Sequence, residues 1–111
     1  MSLLYQDPSM SHDEAVSLLD TGLETSIVTA LISIGLNEQD RFWAQTICLK
    51  YLDSGSERVV ASAITSLGHI ARRHGTLDMN AVLPALDTAK TKFPALEATV
   101  ADTLDDIETF I

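Results

Sequence analysis

One cysteine, three histidines and sixteen carboxylates are the groups through which this 111-residue chain could do chemistry. Cys48 stands alone, so no intramolecular disulfide and no Cys-rich metal site can form. It falls among apolar residues at helical spacing, which reads as a buried structural thiol. His69 and His74 are five residues apart, about 140° around a helix, too divergent to hold one metal ion together. His69 should face solvent, and His74, beside Gly75, should serve a helix end. No phosphate-cradling Gly motif, nucleophile elbow, Cys-x-x-Cys pair or His-Glu-x-x-His spacing is present. The expectation is therefore a protein without catalysis, metal or cofactor.

The carboxylates are the informative group. Between Glu97 and Ile111 lie five, Glu97, Asp102, Asp105, Asp106 and Glu108, with no Lys or Arg among them. Asp is a poor helix former, and acidic groups near a helix C-terminus oppose its dipole, so local stability does not ask for them. Over the whole chain sixteen acidic side chains face seven basic ones, a net charge of −9. A phosphate backbone is bound by Lys and Arg that displace counterions, so this chain should be repelled by nucleic acid and by anionic membranes. A basic protein partner is favoured instead, through electrostatic steering. No stretch approaches the roughly 18 apolar residues of a membrane helix, and residues 1–11 lack the pattern of a secretory signal, which predicts a cytoplasmic protein.

The elements that would position these groups are legible from an internal repeat. Leu19-Asp20-Thr21-Gly22-Leu23-Glu24 recurs 33 residues later as Leu52-Asp53-Ser54-Gly55-Ser56-Glu57. Ile27, Ala30, Leu31, Ile34 and Gly35 then correspond to Val60, Ala63, Ile64, Leu67 and Gly68. Aligned on its acidic residue, a third copy begins at Glu97, 40 residues after Glu57, with Val100, Thr103, Leu104 and Ile107 at the same offsets. Val60, Ala63, Ile64, Leu67 and Ala71 form one helical stripe about 100° wide. A second amphipathic segment precedes each copy: Trp43, Ala44, Ile47, Cys48, Tyr51 and Leu52 in one case, Met79, Val82, Leu86, Ala89 and Phe93 in another. Trp43 fits its core stripe; Phe42 is about 100° off it and is expected in core or seam packing, with an exposed position as the alternative.

Gly22 and Gly55 follow the first helices of their pairs, where a left-handed residue is least costly as Gly. Ser56 suits an N-cap, Gly75 a C-terminus after Arg72 and Arg73, and Pro94 a helix start. Pro84 must lie near the start of its helix or bend it. The spacing predicts one all-α domain of six helices in three antiparallel pairs: 12–20 with 23–36, 39–52 with 56–74, and 79–92 with 95–110. Residues 1–11 would be a cap or a disordered lead, with Leu3-Leu4-Tyr5 able to cover one end of the array. An uncovered apolar end would instead allow a homodimer.

Leu83-Pro84-Ala85-Leu86 followed by Pro94-Ala95-Leu96-Glu97-Ala98-Thr99-Val100 and Thr103-Leu104 resembles the HEAT repeat. Tyr51-Leu52-Asp53, Glu57-Arg58-Val59-Val60 and Ala63-Ile64-Thr65-Ser66-Leu67-Gly68 resemble it more closely, and the likeness runs from about residue 14 to 111. The first copy departs from the pattern, with a short leading helix and no Arg after Glu24. The resemblance implies a right-handed α-α superhelix whose second helices line the partner-binding face. In the alignment Asp102 and Asp106 share offsets with Ser62 and Ser66 and with Thr29 and Ser33, which predicts two exposed columns. The candidate partner site is therefore Asp102, Asp105, Asp106, Glu108, Ser62, Thr65, Ser66, His69 and Arg73. Small acidic bacterial proteins of this type resemble immunity proteins that block a basic toxin. A general scaffold subunit is the alternative, and a HEAT-like lyase a more distant one for which so short a chain leaves little room.

Overall fold

The computed structural model describes residues 10–111. Leu3-Leu4-Tyr5 lies outside the described residues. The architecture is all-α: α1 (His12–Asp20), α2 (Glu24–Asn37), α3 (Arg41–Tyr51), α4 (Glu57–His74), α5 (Met79–Lys92), a 3-10 turn at Pro94–Leu96 and α6 (Glu97–Phe110). Each expected helix is present, with boundaries within two residues of those read from the periodicity.

The helix ends follow from their side chains. Ser11 caps α1 in a reciprocal box: its hydroxyl accepts from the Glu14 amide while Glu14 accepts from the Ser11 amide at 2.8 Å. Asp40 caps α3 by accepting from the Trp43 amide, and Ser56 caps α4 by accepting from the Val59 amide. Gly22 and Gly75 are left-handed, with φ of +70° and +68°, as a chain reversal after a helix requires. Gly55 is not left-handed, contrary to expectation. Helix α3 ends instead in consecutive tight turns, Leu52 to Leu49, Asp53 to Lys50 and Ser54 to Tyr51. The Lys92 ammonium donates to the Asp53 and Ser54 carbonyls beyond it. Helix α5 runs through Pro84, whose ring is exposed.

Helix α4 is the central element. It packs against α2 on one flank, α6 on the other and α3 on its inner side, while α1 packs on α2. Its moderately hydrophobic stripe becomes the middle of the core: Val60, Ala63, Ile64, Leu67, Ile70 and Ala71 have no exposed surface. Leu31 and Ile34 of α2, Val82 and Leu86 of α5 and Val100 of α6 complete it. Cys48 is fully enclosed among them, and burial pushes its thiol pKa up to about 12. Its role is packing, as its apolar neighbours implied.

Two close approaches set the register of α2, α4 and α6. A Cβ on Gly35 would stand 2.8 Å from the Ser66 Cα, so α2 and α4 touch backbone to backbone there. Beside that contact the Ser66 hydroxyl donates to the Leu31 carbonyl at 2.7 Å. At the next seam Gly68 faces Thr103, and the Thr103 hydroxyl donates to the Ile64 carbonyl at 3.0 Å. Leu31 and Ile64 are equivalent in the first two repeats, so Thr103 is the counterpart of Ser66.

That equivalence corrects the alignment of the third copy. The true offset from α4 to α6 is 37 residues, not the 40 obtained by matching Glu57 to Glu97. Under it the buried series Val59, Ala63, Ser66 and Ile70 maps onto the buried series Leu96, Val100, Thr103 and Ile107. The cause is local. The 3-10 turn of Pro94–Leu96 takes the place of α4's first turn, so Glu97 opens an α-helix already one turn along. Leu104, expected in the core stripe with Ile64, is 36% exposed.

Candidate partner-binding face

The corrected register decides which side chains reach solvent. On α4 one seam holds Ser66 and the other Ile64 and Gly68, while the core takes Ala63, Leu67 and Ile70. The open stripe is what remains: Ala61, Thr65 and His69, half-buried, with Arg58 and Arg72 more exposed. Asp102 and Asp106 align with Thr65 and His69, and on α2 the same positions are Ile32 and Leu36. Asp102 is exposed; Asp106, Ile32 and Leu36 are half-buried.

Two expected columns are thereby replaced. Ser66 is fully buried and Ser62 is 8% exposed, with its hydroxyl donating to the Arg58 carbonyl at 2.9 Å. Ser33 is likewise buried; only Thr29 of that group is exposed. These small polar residues sit at seams because adjacent helices must approach closely, and a hydroxyl can satisfy itself on a backbone carbonyl there. Ser33, Ser62 and Ser66 are thereby withdrawn from the open surface.

The acidic residues of α6 separate into two sets. Asp102 and Asp106 lie one turn apart on the open stripe, next to Thr65 and His69. Asp105 points along the end of the array, at the position Gly68 takes on α4. Glu108 is roughly 120° around the helix from Asp102, on another side of α6. Of the four carboxylates expected at the site, two lie together on the face shared with α4.

His69 combines partial burial with neighbours of both signs. Its pKa is lowered, first by burial and then by the Arg72 charge, with Asp106 opposing and Arg73 adding to the depression. The imidazole is thereby biased toward its neutral form, able to donate from one ring nitrogen and accept at the other. Arg73 faces elsewhere. Its guanidinium donates to the Gly35 carbonyl at 3.1 Å, and the His74 Nε2 lies 3.1 Å from the Glu38 carbonyl. Together they cover the C-terminal carbonyls of α2, which has no basic residue in its own last turn. The helix-end role expected for His74 is present, but for the neighbouring helix.

The link between the starts of α2 and α4 was not singled out from the sequence, nor was the apolar pair Ile32 and Leu36. The Glu24 carboxylate accepts from the Ser56 hydroxyl at 2.6 Å and pairs with Arg58 at 2.9 Å, joining the starts of α2 and α4. The Ser56 hydrogen bond chiefly, with the Arg58 charge, holds its pKa below the usual value against some desolvation. Phe42 is 67% exposed on the first turn of α3 rather than seated in a seam. Its neighbour Trp43 packs on the core and meets the His12 ring, centroids 4.1 Å apart. Ile32 and Leu36 carried a readable signal, since they fall off the core stripe of their own helix. Among the described residues no cluster of His, Cys, Asp and Glu could hold a metal ion.

The site so described is a surface of graded chemistry on three stacked helices, apolar on α2, mixed on α4 and acidic on α6. No family model and no curated protein matches the chain. The chain is similar, at 27% identity and a TM-score of 0.81, to a chain in the crystal structure of the CDI complex from Cupriavidus taiwanensis LMG 19424. The likeness covers 98% of this chain and 98% of that one. Among the described residues no helix is long and apolar enough to cross a membrane.

Proposed function

We propose that this chain is the immunity protein of a contact-dependent inhibition pair, a non-catalytic inhibitor that covers a basic region of a toxin domain. The observation that carries the reading is the end-to-end likeness to a chain of the CDI complex from Cupriavidus. A fold match alone would leave function open, but here the two chains agree in length as well as in fold. The charge supports the same reading. With a net charge of −9, the long-range field attracts a basic partner, and Asp102 and Asp106 give it a local target. Inhibition is by occlusion: carboxylates occupy the basic side chains through which the toxin would hold its substrate. Such pairs act mostly on encounter rate and specificity. The HEAT-like stacking of α2, α4 and α6 supplies a rigid surface for this, because the Gly35 and Gly68 seams fix the helices' register.

The test is capture of the partner from the native cell with the tagged chain, followed by expression of the captured domain in a bacterial host. A basic domain that arrests growth, with growth restored when this chain is co-expressed, is the expected result. A captured acidic partner, or growth arrest that co-expression does not relieve, refutes the proposal.

A further inference from the structure

The open stripe changes character across the three helices in a way that the repeat does not require. At one position it reads Ile32, Thr65 and Asp102; one turn on, it reads Leu36, His69 and Asp106. Since α4 and α6 carry polar or charged groups at these positions, helix stacking does not demand Ile and Leu on α2. Ile32 and Leu36 are half-buried and, unlike Val28 beside them, do not pack on the core formed by the described residues. At the other edge, neither Asp102 nor Asp106 forms an ion pair among the described residues. We infer that this stripe receives one continuous segment of the partner, carrying apolar side chains over Ile32 and Leu36 and Lys or Arg over Asp102 and Asp106.

The inference rests on the reading of this chain as a binder of a basic protein, and adds the apolar half and its placement. Charge complementarity selects the occupant: an acidic segment would be repelled at α6, and a uniformly basic one would leave the aliphatic pair in water. Packed helices lie about 8–10 Å apart, so the two halves are separated by roughly 20 Å. An extended strand rises about 3.3 Å per residue, which places the apolar and basic anchors about six residues apart. The apolar anchors hold the complex, and the carboxylates fix its direction and speed its formation.

The probe is a synthetic ten-residue peptide with three leucines at one end, three lysines at the other and Gly/Ser between. It is titrated into the isotope-labelled protein while backbone amide shifts are followed. Two further peptides carry serine for leucine or glutamate for lysine. The expected result is that amides around Ile32 and Leu36 shift together with those around Asp102 and Asp106, with one dissociation constant. The leucine-free peptide then binds about ten-fold more weakly, the loss expected for uncovering two aliphatic contacts, and the glutamate peptide does not bind. Leu36→Gln removes the shifts on α2 and leaves those on α6. Shifts confined to α6, or equal binding of the leucine-free peptide, overturn the inference using the wild-type protein alone. The growth test above is independent: if it fails while the peptide binds as described, the immunity reading falls and the surface stands. If growth is rescued while shifts fall elsewhere, only the surface is wrong.

Discussion

Replacing Gly35 by Ala tests the backbone contact that sets the register of the whole face. The added Cβ would lie 2.8 Å from the Ser66 Cα, 2.9 Å from its Cβ and 3.1 Å from its carbonyl oxygen. Carbon atoms in good contact are about 3.5–4.0 Å apart, so α2 and α4 must separate by several tenths of an ångström or more. No flexible side chain can yield in their place, since the atoms met belong mostly to the α4 backbone. Overpacking of this kind costs about 1–3 kcal/mol, and a backbone obstacle belongs at the upper end. Against it stands the helix preference of Ala over Gly, up to about 1 kcal/mol. That gain is reduced here because Gly35 is in the last turn of α2. The net expectation is a loss of about 1–2 kcal/mol, a fall in Tm of roughly 5–10 °C for a domain of this size. Gly68→Ala is the internal comparison. Its Cβ would meet the Asp106 carboxylate at 3.0 Å and the Thr103 hydroxyl at 3.3 Å, the first of which can swing away, and Gly68 is well inside α4. It should be within about 0.5 kcal/mol of wild type, because strain and propensity nearly cancel. Thermal and urea unfolding followed by circular dichroism give both values. A Gly35→Ala protein as stable as wild type, or less affected than Gly68→Ala, refutes the close approach and the register built on it.

Three further outcomes follow from the same geometry. Asp102→Asn with Asp106→Asn should leave the helical circular dichroism unchanged and slow association with a basic partner about ten-fold, with a shallower dependence on salt; stopped-flow rates at two ionic strengths read this, and an unchanged rate would remove the two carboxylates from the interface. Cys48 should be unreactive toward a thiol reagent in the native protein, since it is 0% exposed and its pKa lies near 12; labelling should track unfolding in urea, and rapid labelling without denaturant contradicts the packing. His69 should make stability fall as pH drops: its folded pKa is lowered, so the unfolded chain takes up the proton first, and the loss begins near the unfolded value of about 6.5 and levels off below the folded one. His69→Gln should flatten that part of the profile, and a variant that keeps the full acid slope would place its origin elsewhere.

The helices were legible because their signals are local. Val60 to Ala71 repeats at 3.6 residues, Ser56 stands at an N-cap, and Gly22 and Gly75 mark reversals. The partner face was legible only in part, because it depends on rotations of one helix against the next. Aligning Glu57 with Glu97 placed α6 three residues out of register, which turns a helix by about 60°. That error put Asp102 and Asp106 in line with Ser62 and Ser66, residues that in fact fill seams. Nothing in the composition of Pro94-Ala95-Leu96 says that a 3-10 turn there stands in for a full α-helical turn. The glycine shared by the first two copies, in Ile34-Gly35 and Leu67-Gly68, held the missing clue. Such a Gly implies a small partner residue on the next helix, and for Gly68 that residue is Thr103.

The register also explains how α6 carries the acidic residues proposed for recognition without undermining the fold. Thr103 and Ile107 bury the inner side of α6, and the Thr103 hydroxyl ties that helix to α4. The carboxylates are left on the remaining circumference, where hydration lowers the cost of their mutual repulsion. Had α6 followed the 40-residue offset, Asp106 would have occupied the Ser66 position, facing the neighbouring backbone with no surface left exposed. An unpaired carboxylate there would cost several kcal/mol or remain protonated. The offset of 37 is therefore the one compatible with both the packing and the charge. It turns Asp102 and Asp106 outward beside Thr65 and His69, where a partner's cations could reach them. Burial of α6 and presentation of its acids are two consequences of one rotation, so a substitution that shifts the Gly68–Thr103 seam should alter binding and stability together.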